Sequence, residues 1–418
     1  MVLTLSAQQQ SDACRCRSCG HRGLIPVLSL GTTPLANALI AEDQLDDPEA
    51  CWPLDLVRCG HCSLVQITAT VPPEQLFSQY SYFSSFSDTM VSHAQHLVGR
   101  LIDERQLSAD SLAVEIASND GYLLQWYQRH GVPVLGIEPA ANIADVAVRD
   151  RGVRTIAEFF GPQLATTLAA DGGKADVIHA NNVLAHVADL NGVVAGIATL
   201  LKPEGCAVIE VPYLGSLICH TEFDTIYHEH LCYFSLTALC RLFARHELQI
   251  SDVERLDIHG GSLRIFATHF GDREPSAEVT SLLREESFWI FSDMHYARFG
   301  DRVAALRRSL THELATLKQN GHRIAAYGAS AKGSTLLNFF GIGAETIEFV
   351  VDRSPYKQGR YTPGTRLKIY APEHLTENHP DYCLLLTWNF AEEIMRQQKA
   401  YSDHGGRFII PIPDVRVA

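Results

Sequence analysis

Four cysteines in two tight pairs carry the plainest chemical signal in this chain. Cys16 and Cys19 form one Cys-x-x-Cys knuckle, and Cys59 and Cys62 form a second. Four thiolates are the ligand set of a closed tetrahedral site, so the spacing predicts a structural Zn2+. Neither pair opens a helix after a strand, which argues against a thioredoxin-like dithiol. Cys14 and Cys51 are spare, and His21 and His61 lie close enough in sequence to replace a cysteine.

The second reactive cluster is Tyr227-His228-Glu229-His230. Two imidazoles and a carboxylate at this spacing share no single helical face, so a metal site fits them poorly. They suit a general base with a carboxylate to orient it. His186 and His259 can join from other loops. A third cluster runs from Glu115 to Gly121, with Ala117, Ser118 and Asn119 inside it, and Glu138 ends the next strand. Small residues let the backbone approach a ligand, and an acid at that strand end can accept from both ribose hydroxyls. Asn181 and Asn182 follow a later strand. The loop holds one glycine and is not G-x-G-x-x-G, which favours S-adenosylmethionine over NAD, whose diphosphate needs more open backbone.

A fourth cluster is the glycine loop Gly328-Ala329-Ser330-Ala331-Lys332-Gly333, which opens a helix. Backbone N–H groups at a helix start attract phosphate, and Lys332 adds charge. Asp352 ends the following strand, and Arg353, Lys357, Arg360, Arg366 and Lys368 make a basic group after it. The loop lacks Walker spacing, so ATP hydrolysis is not indicated.

The chain that positions these residues has 418 residues, 46% of them hydrophobic, enough for two or three domains with cores. Its formal charge of −14 excludes unspecific nucleic-acid binding and requires a local basic patch for any anionic substrate. No run of about twenty apolar residues is present, so no membrane-spanning helix is expected. The start has no basic, apolar signal-peptide pattern. Cysteines outside the knuckles lie in apolar segments, as reduced thiols do, and a cytoplasmic location follows. The composition permits a monomer.

Residues 1–70 read as a metal-bound unit too short for a good core of its own. Residues 71–275 begin with the aromatic run Phe77, Tyr80, Tyr82, Phe83 and Phe86, of which Tyr80 and Tyr82 carry hydroxyls that can face a site. A helix over 88–106 follows. Strands over 112–116, 133–137, 154–156, 175–180 and 206–211 alternate with helices, the pattern of a parallel sheet with ligands at its carboxyl ends. A turn at 202–205 precedes the last of these. A helix over 236–246 and strands over 250–256 and 262–268 complete the sheet. Residues 276–319 read as a helical connector. Residues 320–418 start a second nucleotide-type pattern, with strands over 323–327, 347–351, 382–386 and 407–410 and a helix over 334–340.

The order of these parts resembles the S-adenosylmethionine-dependent sugar C-methyltransferases that act on nucleotide-linked 4-keto-deoxyhexoses. The likeness rests on the two cysteine knuckles, Pro34-Leu35-Ala36-Asn37, Tyr80-Ser-Tyr82-Phe-Ser-Ser85, Glu115 to Gly121, Tyr227 to His230, His259-Gly-Gly-Ser262 and the Gly328 loop. It runs over nearly the whole chain. The 202–205 turn is similar to one before the fifth strand of class I methyltransferases. The resemblance implies an α/β protein in three parts: a zinc-binding N-terminal module, a class I methyltransferase Rossmann-like domain, and a second Rossmann-like domain. That last domain binds the nucleotide diphosphate, expected to be TDP. The resemblance gives His230 the role of base and lines its pocket with Tyr227, Glu229, Asn182, His186 and Tyr80 or Tyr82. Ala117 departs from the glycine usual there. Rival readings are O- or N-methyl transfer, an NAD-dependent oxidoreductase, and a zinc scaffold that binds nucleotide sugars without reaction.

Overall fold

The computed structural model describes residues 15–72, 76, 84–258 and 260–418. Cys14, Phe77, Tyr80, Tyr82, Phe83 and His259 lie outside the described residues.

The chain builds three sheets. The first holds β1 (Leu24–Pro34), β2 (Cys51–Cys59) and β3 (Val65–Ile67), all antiparallel. Its fourth strand is Cys232–Tyr233, which arrives from far along the chain to pair with β3. A unit this small cannot bury its own apolar surface. Leu54, Leu56, Leu64, Val65 and Ile67 are all buried, in one continuous core with the rest of the molecule.

The second sheet starts after α1 (Asp88–Arg105), which Ser87 caps by accepting from Met90 N. It contains β4 (Ala113–Ile116), α2 (Leu124–Arg129), β5 (Val134–Ile137), α3 (Ala141–Arg151), β6 (Thr155–Ile156), α4 (Pro162–Asp171), β7 (Ala175–Asn181), α5 (Leu190–Leu200) and β8 (Leu201–Pro212). Next come α6 (Leu214–Cys219), β9 (the Cys232–Tyr233 strand), α7 (Leu236–Ala244), β10 (Leu248–Leu256) and β11 (Ser262–His269). The strand order is β10-β11-β8-β7-β4-β5-β6, parallel from β8 to β6 and antiparallel at β10 and β11. Register puts Glu115 beside Gly136 and His179, so the loops after β4, β5 and β7 share one edge. The expected turn at 202–205 is instead a bulge within β8, where pairing jumps from Ala175–Leu201 to Val177–Cys206. A buried ion cluster ties α1 to the sheet: Glu210 of β8 sits 2.9 Å from His93 and 2.7 Å from Arg264 of β11.

The expected connector is two helices, α8 (Ala277–Ser287) and α9 (Asp293–Gln319). α8 does more than connect. Its buried Glu286 accepts from Leu236 N at 2.8 Å and Thr237 N at 2.7 Å, placing a carboxylate at the start of α7.

The third sheet contains β12 (Ile324–Tyr327), α10 (Ala331–Phe340), β13 (Val350–Val351), β14 (Ile369–Tyr370), α11 (Glu373–Asn378), β15 (Tyr382–Leu385), α12 (Ala391–Gln397), α13 (Lys399–Asp403), β16 (Arg407–Ile410) and β17 (Arg416–Val417). The order is β14-β13-β12-β15-β16-β17, parallel except at β17. α10 begins three residues before the expected Ser334, because the Ser330 hydroxyl accepts from Gly333 N and caps the helix there. The glycine loop therefore ends inside the first helical turn. Among the described residues, no helix is long and apolar enough to cross a membrane.

α10 packs onto the second unit. Phe223 is fully buried, stacked on Phe340 at 4.9 Å between ring centroids, and Thr335 Oγ1 donates to Ile226 O at 3.3 Å. Truncating Phe223 to Ala should destabilise the chain by about 3–5 kcal/mol, read as a lowered denaturant midpoint.

Candidate active site

The four cysteines converge. Cys16 Sγ and Cys62 Sγ are 3.4 Å apart, Cys19 Sγ and Cys59 Sγ 3.6 Å, and all four sulfurs lie within 4.8 Å of one another. Zinc with bonds of about 2.3 Å would set tetrahedral sulfurs about 3.8 Å apart, so the cluster fits that ion. Within each knuckle a backbone N–H points at a sulfur: Cys19 N to Cys16 at 3.5 Å and Cys62 N to Cys59 at 3.4 Å. The rings of His21 and His61 lie beside each other at 5.5 Å, outside the four-sulfur group, and Cys51 is exposed.

After β4 the backbone curls through three left-handed residues, Ala117 (φ 51), Asn119 (φ 49) and Gly121 (φ 77). For Ala117 this conformation costs about 1–2 kcal/mol that glycine would avoid. The loop is held by Ser118 N to Ile137 O at 3.1 Å, and Gly136 makes room for it, since a Cβ there would meet Ser118 Oγ at 2.5 Å. Glu138 is buried and braced: Oε2 accepts from Asn119 N at 3.0 Å and Oε1 from Ala140 N at 2.9 Å. Burial pushes this carboxyl up, against the two N–H bonds. Each oxygen keeps a second lone pair for a ligand hydroxyl.

Glu115 is buried with Oε2 unpartnered among the described residues, and burial together with neighbouring acids holds it well above the usual carboxylate range. Asp120 accepts from Ser85 Oγ at 2.5 Å and sits 3.3 Å from Arg151. Carboxyl groups around one loop offer hydrogen-bond partners to a hydroxyl-bearing donor such as S-adenosylmethionine.

The loop after β7 faces the candidate base. Asn181 ends the strand with Oδ1 unpartnered, and Asn182 (φ 56) donates its backbone N–H to Glu210 O at 2.8 Å. The His186 ring meets the His230 ring edge-on at 4.8 Å. Burial pulls His186 down to about 4, so it is neutral at pH 7. Leu231 N donates to Ala185 O at 2.7 Å and pins the Tyr227–His230 turn against this loop.

His230 is held from both sides. Nδ1 lies 2.9 Å from Thr225 O and Nε2 lies 2.9 Å from Tyr227 Oη. A carbonyl only accepts, so the first contact assigns a proton to Nδ1, and in the neutral ring Nε2 accepts from Tyr227 Oη. The orienting group expected from sequence was Glu229. Its carboxylate instead accepts from Asn37 Nδ2 at 2.7 Å, so the backbone carbonyl of Thr225 holds Nδ1. The reason is burial: Glu229 is nearly enclosed and needs a donor, which the Pro34–Asn37 segment supplies. His228 points away to Pro53 O at 3.3 Å. Pro34 and Ala36, Tyr227 and His228, and Ser334 and Asn338 line one narrow crevice, to which all three units contribute.

The glycine loop is more occupied than expected. Gly328 (φ 97) passes Thr387, where a Cβ would lie 2.6 Å from Oγ1. Asp352 accepts from Ala329 N and Ser354 N, each at 2.8 Å, and Lys357 donates to Ala329 O at 2.8 Å. The basic group is largely engaged with acids brought close by the fold. Arg353 pairs with Glu393 at 3.5 Å, Arg366 with Glu49 at 3.3 Å and Lys368 with Glu42 at 3.4 Å. Lys332 Nζ lies 4.8 Å from the centre of the Trp388 ring rather than over the loop's open side. A groove of about 440 Å³ beside Trp388 is lined also by Arg396, Ile412 and Arg416.

Sequence reasoning missed Asn37 as a partner of Glu229, and missed Glu222, Asp224 and Trp388. Burial drives Glu222 up to about 7, opposed by Lys332, and its oxygen lies 3.2 Å from His220 Nδ1. Gly260 packs on that carboxylate so closely that a Cβ would meet both oxygens at 2.4 Å. The available signal was two acids, Glu222 and Asp224, alternating with Phe223 and Ile226 just before Tyr227.

Chelation tests the sulfur site. The chain should carry one zinc per molecule by elemental analysis. Stripping it, or changing Cys16→Ser, should lower the melting temperature by several degrees, since the module has little other core.

The chain is similar to known proteins. Residues 257–413 match a family described as "C-methyltransferase C-terminal domain", residues 16–77 one described as "Putative zinc binding domain", and residues 90–253 one described as "Methyltransferase domain". The C-methyltransferase NovU of Streptomyces niveus is 39% identical over 404 residues, 96% of each chain. A ubiquinone biosynthesis O-methyltransferase of Bartonella tribocorum is 32% identical over 97 residues, 23% of this chain and 39% of its own. The crystal structure of magnesium protoporphyrin IX methyltransferase from Synechocystis PCC 6803 with bound SAM aligns at 13% identity and a TM-score of 0.34, over 47% of this chain and 88% of that one. The match to NovU runs through all three sheets, and the chain belongs to the SAM-dependent C-methyltransferase family.

Proposed function

We propose that this chain methylates the carbon next to the ketone, C3, of a nucleotide-linked 4-keto-deoxyhexose, with His230 as the general base. One observation carries the reading: an imidazole whose Nδ1 is fixed on Thr225 O presents Nε2 to Tyr227 Oη, and Tyr227 lines a crevice to which three units contribute.

A proton beside a ketone is weakly acidic, so its removal needs a placed base and donors for the enolate oxygen. His230 Nε2 takes the C3 proton, and the imidazolium so formed keeps its Nδ1–H on Thr225 O. Tyr227 then loses its acceptor and turns its hydroxyl toward substrate oxygen. His186 is too buried to compete as a base, so its role is to offer a neutral N–H beside the same pocket. Tyr80 and Tyr82, outside the described residues, remain candidates for the keto oxygen, and His259 for the sugar. Bound S-adenosylmethionine supplies the electrophilic methyl. Glu115, Ser118, Asn119, Gly121 and Glu138 hold its adenosine part, with Asn181 and Asn182 near the reacting end. Residues 1–70 brace the base, 71–275 hold the donor, 276–319 join, and 320–418 hold the nucleotide diphosphate, TDP in this reading. The Gly328 loop, Ser330, Gly333, Arg353 and the groove beside Trp388 lie on that side. The similarity to NovU, a C-methyltransferase, supports carbon rather than oxygen as acceptor.

The test uses His230→Asn with S-adenosylmethionine and TDP-4-keto-6-deoxyglucose. Methyl transfer should fall by at least about 100-fold while both ligands still bind by calorimetry. Wild-type protein without donor should exchange the C3 proton with solvent deuterium, and the variant should not. Turnover at the wild-type rate in the variant would remove His230 from this role.

A further inference from the structure

We infer that Lys332 and Asp224 together read one hydroxyl group of the substrate. The inference rests on the reading above that a nucleotide sugar lies between the two Rossmann-like units.

Asp224 is wholly buried in the turn between α6 and the Tyr227–His230 cluster. Its Oδ2 accepts from Trp388 Nε1 at 2.7 Å, across the seam between the second and third sheets. Its Oδ1 has no partner that meets hydrogen-bonding geometry among the described residues, and the backbone N–H groups of Asp224 and Thr225 lie beside the carboxylate. Lys332 comes from the other side, in the first turn of α10. Its Nζ is buried under Trp388 and is also without a hydrogen-bond partner. The ammonium acts on both Asp224 and Glu222, yet bonds to neither. The hydroxyls of Thr225, Ser334 and Thr387 are buried near the same seam and have no partner among the described residues.

A buried ammonium and a buried carboxylate that do not meet each forfeit a charge-assisted bond. The group that completes them must accept from Nζ and donate to Oδ1. A ketone only accepts. An ionised phosphate only accepts, and Asp224 with Glu222 would repel it. A hydroxyl does both. This moves Lys332 away from the diphosphate role its glycine loop suggested. The position also fits a sugar, because Thr225, the neighbour of Asp224, holds the base.

The experiment compares TDP-4-keto-6-deoxyglucose with three analogues: the 2-deoxy hexose, the 3-deoxy hexose and the 3′-deoxythymidine form. Wild-type protein should lose at least about tenfold in kcat/KM on one of them, which names the hydroxyl. In Lys332→Met, and in Asp224→Asn, which keeps the Trp388 bond but turns the free acceptor into a donor, that ratio should fall toward one. It falls because the parent loses what the analogue never had. Equal use of all four compounds by wild-type protein, or a wild-type ratio in both variants, overturns the inference. NMR of the parent product separates this from the reading it rests on. If no carbon-bound methyl appears, the reading fails, and calorimetric Kd ratios for the same compounds and variants decide the hydroxyl site by the same criterion. If Lys332→Met melts early, the near-isosteric Asp224→Asn carries the comparison.

Discussion

A carbonyl oxygen that can only accept orients the central imidazole of this site. Thr225 O sets the proton of His230 on Nδ1, and every use of Nε2 follows from that. The carbonyl in turn is fixed because the stretch from Glu222 to Tyr233 belongs to all three sheets at once. Asp224 is bonded to Trp388 of the third unit, His228 to Pro53 and Glu229 to Asn37 of the first, and Leu231 to Ala185 of the second. Cys232 and Tyr233 then complete the first sheet. Twelve residues thus carry contacts that a multidomain enzyme usually spreads over several loops. The site and the packing of the units are one structure.

This gives the metal module a physical role without chemistry of its own. Four sulfurs hold Cys16 and Cys62 at the base of a sheet that shares a strand with the active-site segment. Its hairpin then delivers Asn37 to Glu229. A rigid module therefore braces the Tyr227–His230 cluster from one side, although the sulfur cluster is built from a separate part of the chain.

Charge is arranged with equal economy. The chain is acidic overall, and Glu115, Glu138, Glu222, Asp224 and Glu229 are all buried near the two candidate ligand regions, each pushed up by burial first. Around β4 they offer hydrogen-bond partners to a hydroxyl-bearing methyl donor. At the seam they face one lysine. The arginines and lysines after β13 mostly pair with acids of the first unit and with Glu393, so they knit the third sheet to its neighbours and leave little free positive charge.

The local elements were legible in sequence wherever one segment decides its own structure. The knuckle spacing, the loop from Glu115 to Gly121, and the strands of the two Rossmann-like patterns depend on short-range geometry and on alternation of apolar runs. Helix starts were less legible, because Ser330 rather than Ser334 supplies the capping oxygen of α10. What tertiary structure alone decided are the pairings between distant residues. Glu229 looked like the partner of its neighbour in sequence, yet a buried carboxylate takes whatever donor the fold brings, here Asn37. Lys332 looked like a phosphate donor from its loop, yet Trp388 and two acids surround it only after the sheets close. Sequence fixes which groups are present and their local spacing. Desolvation and long-range contact choose their partners, and those exist only in the folded chain.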